Sequence, residues 1–165
     1  MESMVGAGVL TLSDKASRGE RIDESGKVAV EMLEGEGFTI LRQEIVPDER
    51  EKIVDTLREW VDKAGLSLIV TSGGTGLSPT DVTPQAMEEV IEFEVPGFAE
   101  AMRAESLKKT PHAMISRAMA GVRGTCLIIN LPGSPRGVRE NLSVILPALK
   151  HALSKLGGDT SDCAA

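Results

Sequence analysis

The fold is decided by the stretch Leu66-Ser67-Leu68-Ile69-Val70-Thr71-Ser72-Gly73-Gly74-Thr75-Gly76, in which an apolar segment runs directly into a glycine-rich one. The apolar part lacks helical spacing and has the length of a buried strand. The glycines that follow Ser72 allow the backbone to approach a ligand closely and to direct N–H groups at a phosphate or carboxylate. The stretch therefore predicts a buried strand that ends in an anion-binding loop, here called the glycine loop (residues 72–76).

Two other apolar segments end in the same manner. Residues 5–12 lead into Ser13-Asp14-Lys15, and residues 125–130 lead into Leu131-Pro132-Gly133-Ser134-Pro135, here called the proline loop (residues 131–135). A further strand is predicted over residues 38–46, and helices are predicted over residues 25–37, 47–65, 83–91, 96–107 and 137–156. This alternation predicts an α/β fold with a mostly parallel sheet.

The three loops that begin at Ser13, Ser72 and Leu131 all follow predicted strands. Folds of this class bind ligands at the carboxyl ends of their strands, so the loops are expected to converge on one pocket. An alternative of equal weight is that they are turn-rich connectors with no role in binding.

The composition predicts one globular domain over residues 1–165, with a core from about residue 5 to 156 and a mobile tail over 159–165. No stretch approaches the roughly 20 apolar residues of a membrane span, and Met1-Glu2-Ser3 lacks the basic start of a secretory signal. A cytoplasmic location without membrane attachment is therefore expected. Trp60 and Cys126 are expected to fill the core, because each lies in an apolar pattern.

The net charge of −7 excludes broad nucleic-acid binding, which depends on clustered Lys and Arg. An aromatic content of 2% also leaves few platforms on which single-stranded bases stack. Local backbone amides can still hold a small anion on an acidic protein. The partners expected from charge alone are thus small anionic molecules.

Two aspartates are candidates for metal-assisted chemistry beside the glycine loop. Asp81 lies in Ser78-Pro79-Thr80-Asp81-Val82-Thr83-Pro84, a segment stiffened by two prolines. A carboxylate next to a phosphate cradle suggests a divalent cation between the two anions. Asp48 follows a predicted strand, so the fold can bring it to the same cation. The alternatives are that Asp81 caps a helix and that Asp48 is part of a helix N-terminal charge arrangement.

Several common active-site patterns are missing from the sequence. The glycine loop has neither the Gly-x-x-x-x-Gly-Lys-Ser/Thr pattern of phosphate-binding loops nor the Gly-x-Gly-x-x-Gly pattern of dinucleotide folds. His112 and His151 have no neighbouring nucleophile signature, which makes a hydrolytic triad unsupported. Lys15 and Arg18 are candidate phosphate contacts, with surface solvation as the stronger alternative.

Taken in order, five motifs resemble the molybdopterin adenylyltransferases of molybdenum cofactor biosynthesis, a family that includes the molybdopterin-binding domain of gephyrin. The motifs are Thr71-Ser72-Gly73-Gly74-Thr75-Gly76, Asp81-Val82-Thr83-Pro84-Gln85-Ala86, Pro96-Gly97-Phe98, Ser116-Arg117-Ala118 and Asn130-Leu131-Pro132-Gly133-Ser134-Pro135. The resemblance runs from about residue 5 to 156. It implies a three-layer αβα fold, often trimeric, that binds molybdopterin and Mg-ATP.

The resemblance also implies roles for individual residues. Asp48 and Asp81 match the family's two catalytic acids and are the expected Mg²⁺ ligands. The expected substrate-binding residues lie in four loops: Ser13 and Asp14; Ser72, Gly73, Gly74, Thr75 and Gly76; Thr80; and, on the pterin side, Pro132, Gly133 and Ser134.

The activity implied is transfer of the adenylyl group of ATP to molybdopterin with release of pyrophosphate, and a downstream molybdenum insertase is an expected partner. Ser13-Asp14-Lys15-Ala16-Ser17-Arg18-Gly19 is more similar to the adenylyltransferase branch than to the B-type biosynthesis proteins. Two alternatives stay open: a B-type protein that binds molybdopterin without catalysis, and an oligomerising scaffold. The absence of an appended domain or linker counts against the scaffold.

Overall fold

One six-stranded sheet forms the centre of the computed structural model, which describes residues 5–163. The strand order is β2-β1-β3-β6-β5-β4. The first four strands in this order run parallel, and the last two join antiparallel, so the mostly parallel α/β sheet is confirmed. The strands are β1 (Gly6–Leu12), β2 (Thr39–Val46), β3 (Leu68–Ser72), β4 (Phe93–Glu94), β5 (Ala120–Arg123) and β6 (Cys126–Leu131).

Over residues 5–163 the chain also forms six α-helices and a 3₁₀ helix, Pro111–Ile115. Prolines open three of the α-helices, where a missing backbone N–H costs nothing. The α-helices are α1 (Asp14–Ser17), α2 (Glu24–Gly35), α3 (Arg50–Asp62), α4 (Thr83–Val90), α5 (Pro96–Leu107) and α6 (Pro135–Leu156).

Apolar side chains cover both faces of the sheet and produce three layers. On one face the sheet packs against α2, α5 and α6, and on the other it packs against α3 and α4. Adjacent residues of a strand point to opposite faces, so Ile128 belongs to the α3 and α4 side while Ile129 belongs to the α2 and α6 side. Both are fully buried. A strand buried on both faces has the continuous apolar sequence from which β6 was predicted.

Trp60 and Cys126 are core residues, as the sequence predicts. Trp60 is 1% exposed and packs with the α3 and α4 side of the core. Burial raises the pKa of the Cys126 thiol to about 12. Cys126 is therefore a small apolar side chain in practice, and neither a nucleophile nor a metal ligand at neutral pH.

The structure differs from the sequence-based assignment at two helix starts. Ser25 does not cap α2; Asp23 is the N-cap, and its side chain accepts a hydrogen bond from the Gly26 amide at 2.9 Å. Helix α3 begins at Arg50, so Asp48 lies in the loop before the helix. Asp23 and Ser25 are both residue types that commonly cap helices, and they lie two positions apart. The spacing of apolar residues in the helix does not indicate which of the two is the cap.

The strands β4 and β5 were not predicted at all. Both are short, and β5 contains Gly121, whose lack of a side chain leaves room for Ile91. Gly and short length both weaken the alternation on which strand prediction rests.

The chain ends bear on three further expectations. Residues 1–4, on which the argument about a secretory signal rests, and residues 164–165 of the tail lie outside the described residues. The start of the tail contacts the end of α6, since Asp159 accepts hydrogen bonds from Ser154 and Ser161. Within residues 5–163 no helix is both long and apolar enough to cross a bilayer.

Candidate active site

The carboxyl ends of β1, β3 and β6 bring the three predicted loops together. The Gly73 amide donates to the Leu131 carbonyl oxygen at 3.1 Å, which joins the glycine loop to the proline loop. The Ser25 hydroxyl donates to the Gly133 carbonyl oxygen at 2.7 Å, so the N-terminal turn of α2 is tied to the same place. The loops are therefore parts of one surface at the edge of the parallel strands, where folds of this class bind ligands.

The glycine loop needs glycine at two successive positions. Gly73 has φ of 104° and Gly74 has φ of 67°, angles that side chains of L-residues rarely adopt. A side chain at Gly73 would collide with the Leu12 carbonyl, and one at Gly74 with the Thr83 hydroxyl. That hydroxyl is buried and donates to the Gly73 carbonyl oxygen at 2.9 Å. The start of α4 thus holds the loop in shape.

Two clefts meet at this loop. The larger cleft, of about 740 Å³, is lined by Ser72, Gly73 and Gly74 together with Asp48 and Asp81. The smaller cleft, of about 490 Å³, is lined by Thr75 and Gly76 and by residues of α5, α6 and the 3₁₀ helix. Ser134 lines both. The glycine loop therefore lies between the two clefts, with residues 72–74 on one side and residues 75–76 on the other.

Asp48 is fixed by a reciprocal contact with Asp14. The Asp14 amide donates to Asp48 Oδ2 at 3.1 Å, and the Asp48 amide donates to Asp14 Oδ1 at 2.9 Å. The pair joins the loop after β1 to the loop after β2. Asp48 is not part of a helix N-terminal arrangement, since Glu49 is the N-cap of α3 and makes no side-chain capping bond.

Asp81 is held by a local turn and does not cap α4. Its Oδ2 accepts a hydrogen bond from the Ser78 amide at 3.0 Å, whereas Val82 is the N-cap residue of the helix. Partial burial raises the pKa of Asp48, the hydrogen bond from the Asp14 amide opposes this, and the nearby carboxylates of Asp14 and Asp81 add to the rise. The cleft therefore concentrates negative charge, which a bound cation would relieve.

The donor set fits a divalent cation that is shared with a substrate. Oδ1 of Asp48 and Oδ1 of Asp81 make no hydrogen bond within the described residues, so each carboxylate has an open oxygen. Over residues 5–163 no group of three His, Cys, Asp or Glu side chains is placed to hold a metal ion by itself. Mg²⁺ is commonly bound through one or two carboxylates plus substrate phosphates, and the two open oxygens match that pattern.

The other predicted residues are distributed unevenly around the clefts. Ser13 lines the larger cleft, but its hydroxyl accepts a hydrogen bond from the Ala16 amide at 3.1 Å and so caps α1. Asp14 acts on Asp48 and is not part of either lining. Pro132 lines the smaller cleft and Gly133 the larger one. Thr80 is exposed and lines neither cleft; its hydroxyl lies 3.2 Å from that of Ser78.

Ser72 has a feature that the sequence does not reveal. Its side chain is almost fully buried at the larger cleft, and its hydroxyl has no hydrogen-bond partner among the described residues. A buried hydroxyl without a partner costs free energy, so a ligand oxygen that accepts its hydrogen bond would stabilise the loop.

Four arginines near the clefts were missed by the sequence-based assignment. Arg21 lines the larger cleft, and Arg103 and Arg136 line the smaller one. Arg117 lines neither cleft, but its Nε donates a hydrogen bond to the Gly76 carbonyl oxygen of the glycine loop. Arg18, which was a candidate, instead pairs with exposed Glu20 at 2.9 Å. Of the four, only Arg117 lies in one of the motifs that carry the family resemblance, Ser116-Arg117-Ala118.

Comparison with known proteins gives a consistent result. A family model described as "Probable molybdopterin binding domain" matches residues 8–151. The molybdopterin adenylyltransferase of Helicobacter pylori strain 26695 is 44% identical over 154 residues, which is 92% of this chain and 88% of that protein. The Drosophila melanogaster molybdenum cofactor synthesis protein cinnamon is 41% identical over 98% of this chain, although the chain spans only 27% of its length.

A solved structure is also similar over its whole length. The crystal structure of the molybdopterin biosynthesis enzyme MoaB from Thermus thermophilus superimposes with a TM-score of 0.89 at 52% identity. The match covers 94% of this chain and 98% of that one.

Proposed function

Because this chain belongs to the molybdopterin-binding domain family of molybdenum cofactor biosynthesis, we propose that it transfers the adenylyl group of ATP to molybdopterin. The observation that carries the proposal is the larger cleft, where two carboxylates with open oxygens face the glycine loop. Named molybdopterin adenylyltransferases match the chain over most of both lengths, which supports the same activity.

In the proposed reaction, an oxygen of the terminal phosphate of molybdopterin attacks the α-phosphorus of ATP. A new P–O bond forms, the bond from the α-phosphorus to the bridging oxygen breaks, and pyrophosphate leaves with its electron pair. The attacking phosphate oxygen is already ionised at neutral pH, so no side chain has to remove a proton. Catalysis therefore depends on placing two anions together and on stabilising the charge of the transition state.

The two clefts suit the two halves of such a substrate pair. The larger cleft contains the polar groups that phosphates require, whereas the smaller one has a more apolar wall with Met102, Ala99 and Ala118. We assign the phosphates to the larger cleft and the pterin ring to the smaller one, next to Pro132 and Ser134. The reacting atoms then meet at the glycine loop, where the two clefts adjoin.

The residues of the larger cleft have distinct tasks. The Gly73 amide is used by the Leu131 carbonyl, so the Gly74 amide, which has no partner within the described residues, is the loop donor for a phosphate oxygen. The Ser72 hydroxyl is a second donor. Arg21, at the rim of the cleft, offers a cation to the departing pyrophosphate. Asp48 and Asp81 would hold Mg²⁺, which supplies charge neutralisation at the phosphate oxygens.

Incubation of the protein with molybdopterin, ATP and Mg²⁺ tests the proposal. Adenylylated pterin is detected by mass spectrometry, and pyrophosphate is measured in a coupled assay. Both products are expected in equal amounts, and neither is expected when ATP or the protein is omitted. Formation of ADP, or no product from a protein that binds both ligands, would contradict adenylyl transfer.

The 52% identity to a MoaB protein favours a second candidate, a B-type protein that binds molybdopterin without transfer. The same incubation separates the two functions. A B-type protein would bind molybdopterin in a calorimetric titration with no dependence on ATP, and would release no pyrophosphate.

The proposal includes four further elements that the resemblance implies: Mg²⁺ as the metal, a homotrimer, a cytoplasmic location and a molybdenum insertase as downstream partner. Support for an assembly comes from large apolar side chains on the surface, such as Phe93 at 54% exposure and Met114 at 74%. Sedimentation analysis at micromolar concentration measures the mass, and a trimer corresponds to three times 17.5 kDa.

A further inference from the structure

Arg117 makes three hydrogen bonds to the two loops that carry the proposed phosphate site. Its backbone amide donates to the Thr75 carbonyl oxygen at 2.8 Å. Its Nε donates to the Gly76 carbonyl oxygen at 2.8 Å, and its Nη2 donates to the Asp81 carbonyl oxygen at 2.8 Å. One side chain thus joins the end of the glycine loop to the residue that carries the second carboxylate.

The segment that carries Arg117 is itself anchored from the opposite side. Arg103 of α5 donates through Nη1 to the Ala118 carbonyl oxygen at 2.7 Å and, more weakly, to that of Ser116 at 3.4 Å. Arg103, Ser116 and Ala118 all line the smaller cleft. A continuous series of contacts therefore runs from the wall of the smaller cleft, through Arg117, to Asp81 in the larger one.

The turn that contains Asp81 has few other attachments. Residues 77–80 are exposed, and within the turn the Asp81 carboxylate accepts only the Ser78 amide. The chain after Asp81 is fixed, because Val82 packs against the α3 and α4 side of the core and Thr83 bonds to Gly73 and Gly74. Within the described residues the exposed segment before Asp81 has no such bonds to the rest of the protein, and Arg117 is the side chain from outside the turn that reaches Asp81 itself. A guanidinium is planar and presents its donors in a fixed fork, so it can set the separation of two carbonyl groups in a way that a flexible ammonium cannot.

We propose that Arg117 is a positioning residue that holds the Asp81 turn against the glycine loop and so places the Asp81 carboxylate for transfer. Arg117 lines neither cleft, so it touches no substrate in the proposed site and acts on the reaction through the position of the Asp81 turn relative to the glycine loop. This inference rests on the proposed adenylyl transfer for its catalytic consequence, whereas the mechanical link between the two loops does not depend on it.

The variant Arg117→Lys keeps the charge but loses the fork, and Arg123→Lys is its matched control. Arg123 is also half-buried, donates through Nη1 to a carbonyl oxygen, that of Val90, at 3.0 Å, and lies away from both clefts. Because a displacement of about 1 Å in a catalytic group costs about a hundredfold in rate, kcat of Arg117→Lys is expected to fall 10- to 100-fold with little change in KM. Arg123→Lys is expected to keep both constants.

A double-mutant cycle distinguishes positioning from a general structural role. If Arg117 acts through Asp81, then Arg117→Lys should have almost no further effect on kcat in a protein that already carries Asp81→Asn. Equal losses in both backgrounds would overturn the proposal, as would unchanged kcat in the single variant.

Hydrogen exchange provides a readout that does not depend on activity. Arg117→Lys is expected to accelerate amide exchange in residues 77–82 relative to wild type, and Arg123→Lys is not. Unchanged exchange in Arg117→Lys would overturn the mechanical link even for a wild-type protein that shows no transfer. Absence of transfer by wild type would contradict the proposed function alone, so the two failures are distinguishable.

Discussion

At the scale of single residues, Asp81 is expected to matter for chemistry and little for folding. Asparagine keeps a carbonyl oxygen that can accept the Ser78 amide, so the turn should survive in Asp81→Asn. Loss of the charge should raise the barrier by about 3 kcal/mol, or more than a hundredfold in rate. A loss of product formation of more than a hundredfold with an unchanged unfolding midpoint would establish this, and near wild-type turnover would remove Asp81 from the mechanism.

The ionised carboxylate of Asp48 is expected to lower the free energy of unfolding, although the proposed function requires it. Its raised pKa means that the native state disfavours the ionised form, so the contribution of this group to stability falls as pH rises from the ordinary value of 3.8 through the native pKa. Above that window Asp48→Asn should be more stable than wild type, and the difference should vanish in more acidic solution.

Because Asp48 is half-exposed, solvent screening limits the gain in Asp48→Asn to a rise of roughly 1–2 °C in Tm at neutral pH. Thermal unfolding at pH 7 and at pH 3.5 measures the difference, with Asp55→Asn on exposed α3 surface as a control. A lower Tm at pH 7 would show that the reciprocal contact with Asp14 needs the charge.

Sequence patterns identify these two aspartates but not the residues that place them. A carboxylate beside a glycine-rich loop is a local signal, and the structure brings both aspartates to the larger cleft. The bonds of Arg117, in contrast, reach carbonyl groups 36 and 41 residues away. Every residue has a carbonyl, so nothing in a sequence indicates which one a distant guanidinium will contact.

At the scale of elements, the glycine loop depends on both the angle and the space at Gly74. Gly65 provides a matched control, because it has the same φ of 67° and no atom within contact distance of an added side chain. Gly65→Ala should cost about 1 kcal/mol from the backbone angle alone. Gly74→Ala should cost about 1–3 kcal/mol more, since the new carbon meets the buried Thr83 hydroxyl.

Chemical denaturation gives the two free energies of unfolding, and calorimetric titration gives the affinity for ATP. Gly74→Ala is expected to lose ATP binding at a temperature where it is still folded, whereas Gly65→Ala keeps it. Gly74→Val, which has a branched side chain, is expected to impair folding as well as binding. Equal stability of the two alanine variants would show that the loop yields to the added carbon.

The elements that sequence patterns predict well are those with long apolar runs. Strands β1, β3 and β6 have such runs because they are buried on both faces, and the loops after them follow as a matter of topology. Strands β4 and β5 are short, and each is held by antiparallel pairing, β4 with β5 and β5 with β6. The buried amide of Asn130 fixes the second of these pairings, accepting the Met119 amide at 3.2 Å and donating to Thr71 at 3.0 Å. These hydrogen bonds of Asn130 are tertiary contacts, and no local sequence pattern indicates them.

At the scale of the whole molecule, the two sides of the core should unfold together. Ile128→Val and Ile129→Val each remove one buried methylene group, from opposite faces of the same strand. Each should lower the free energy of unfolding by about 1 kcal/mol, and Ile22→Val, at 82% exposure, should not. Both core variants are expected to shift one common transition, and a second transition in either would show that the faces are independent.

The way the clefts are assembled has a consequence for folding kinetics. Strand β1 pairs with β3 across about 60 residues of chain, and β3 pairs with β6 across a similar span. Such distant pairings form slowly, because the entropy of closing long loops is lost before the contacts compensate it. Asp48, the glycine loop and the proline loop meet only after both pairings are complete, so the ligand site is a late product of folding. Bound substrate should therefore slow unfolding and leave the rate of folding unchanged.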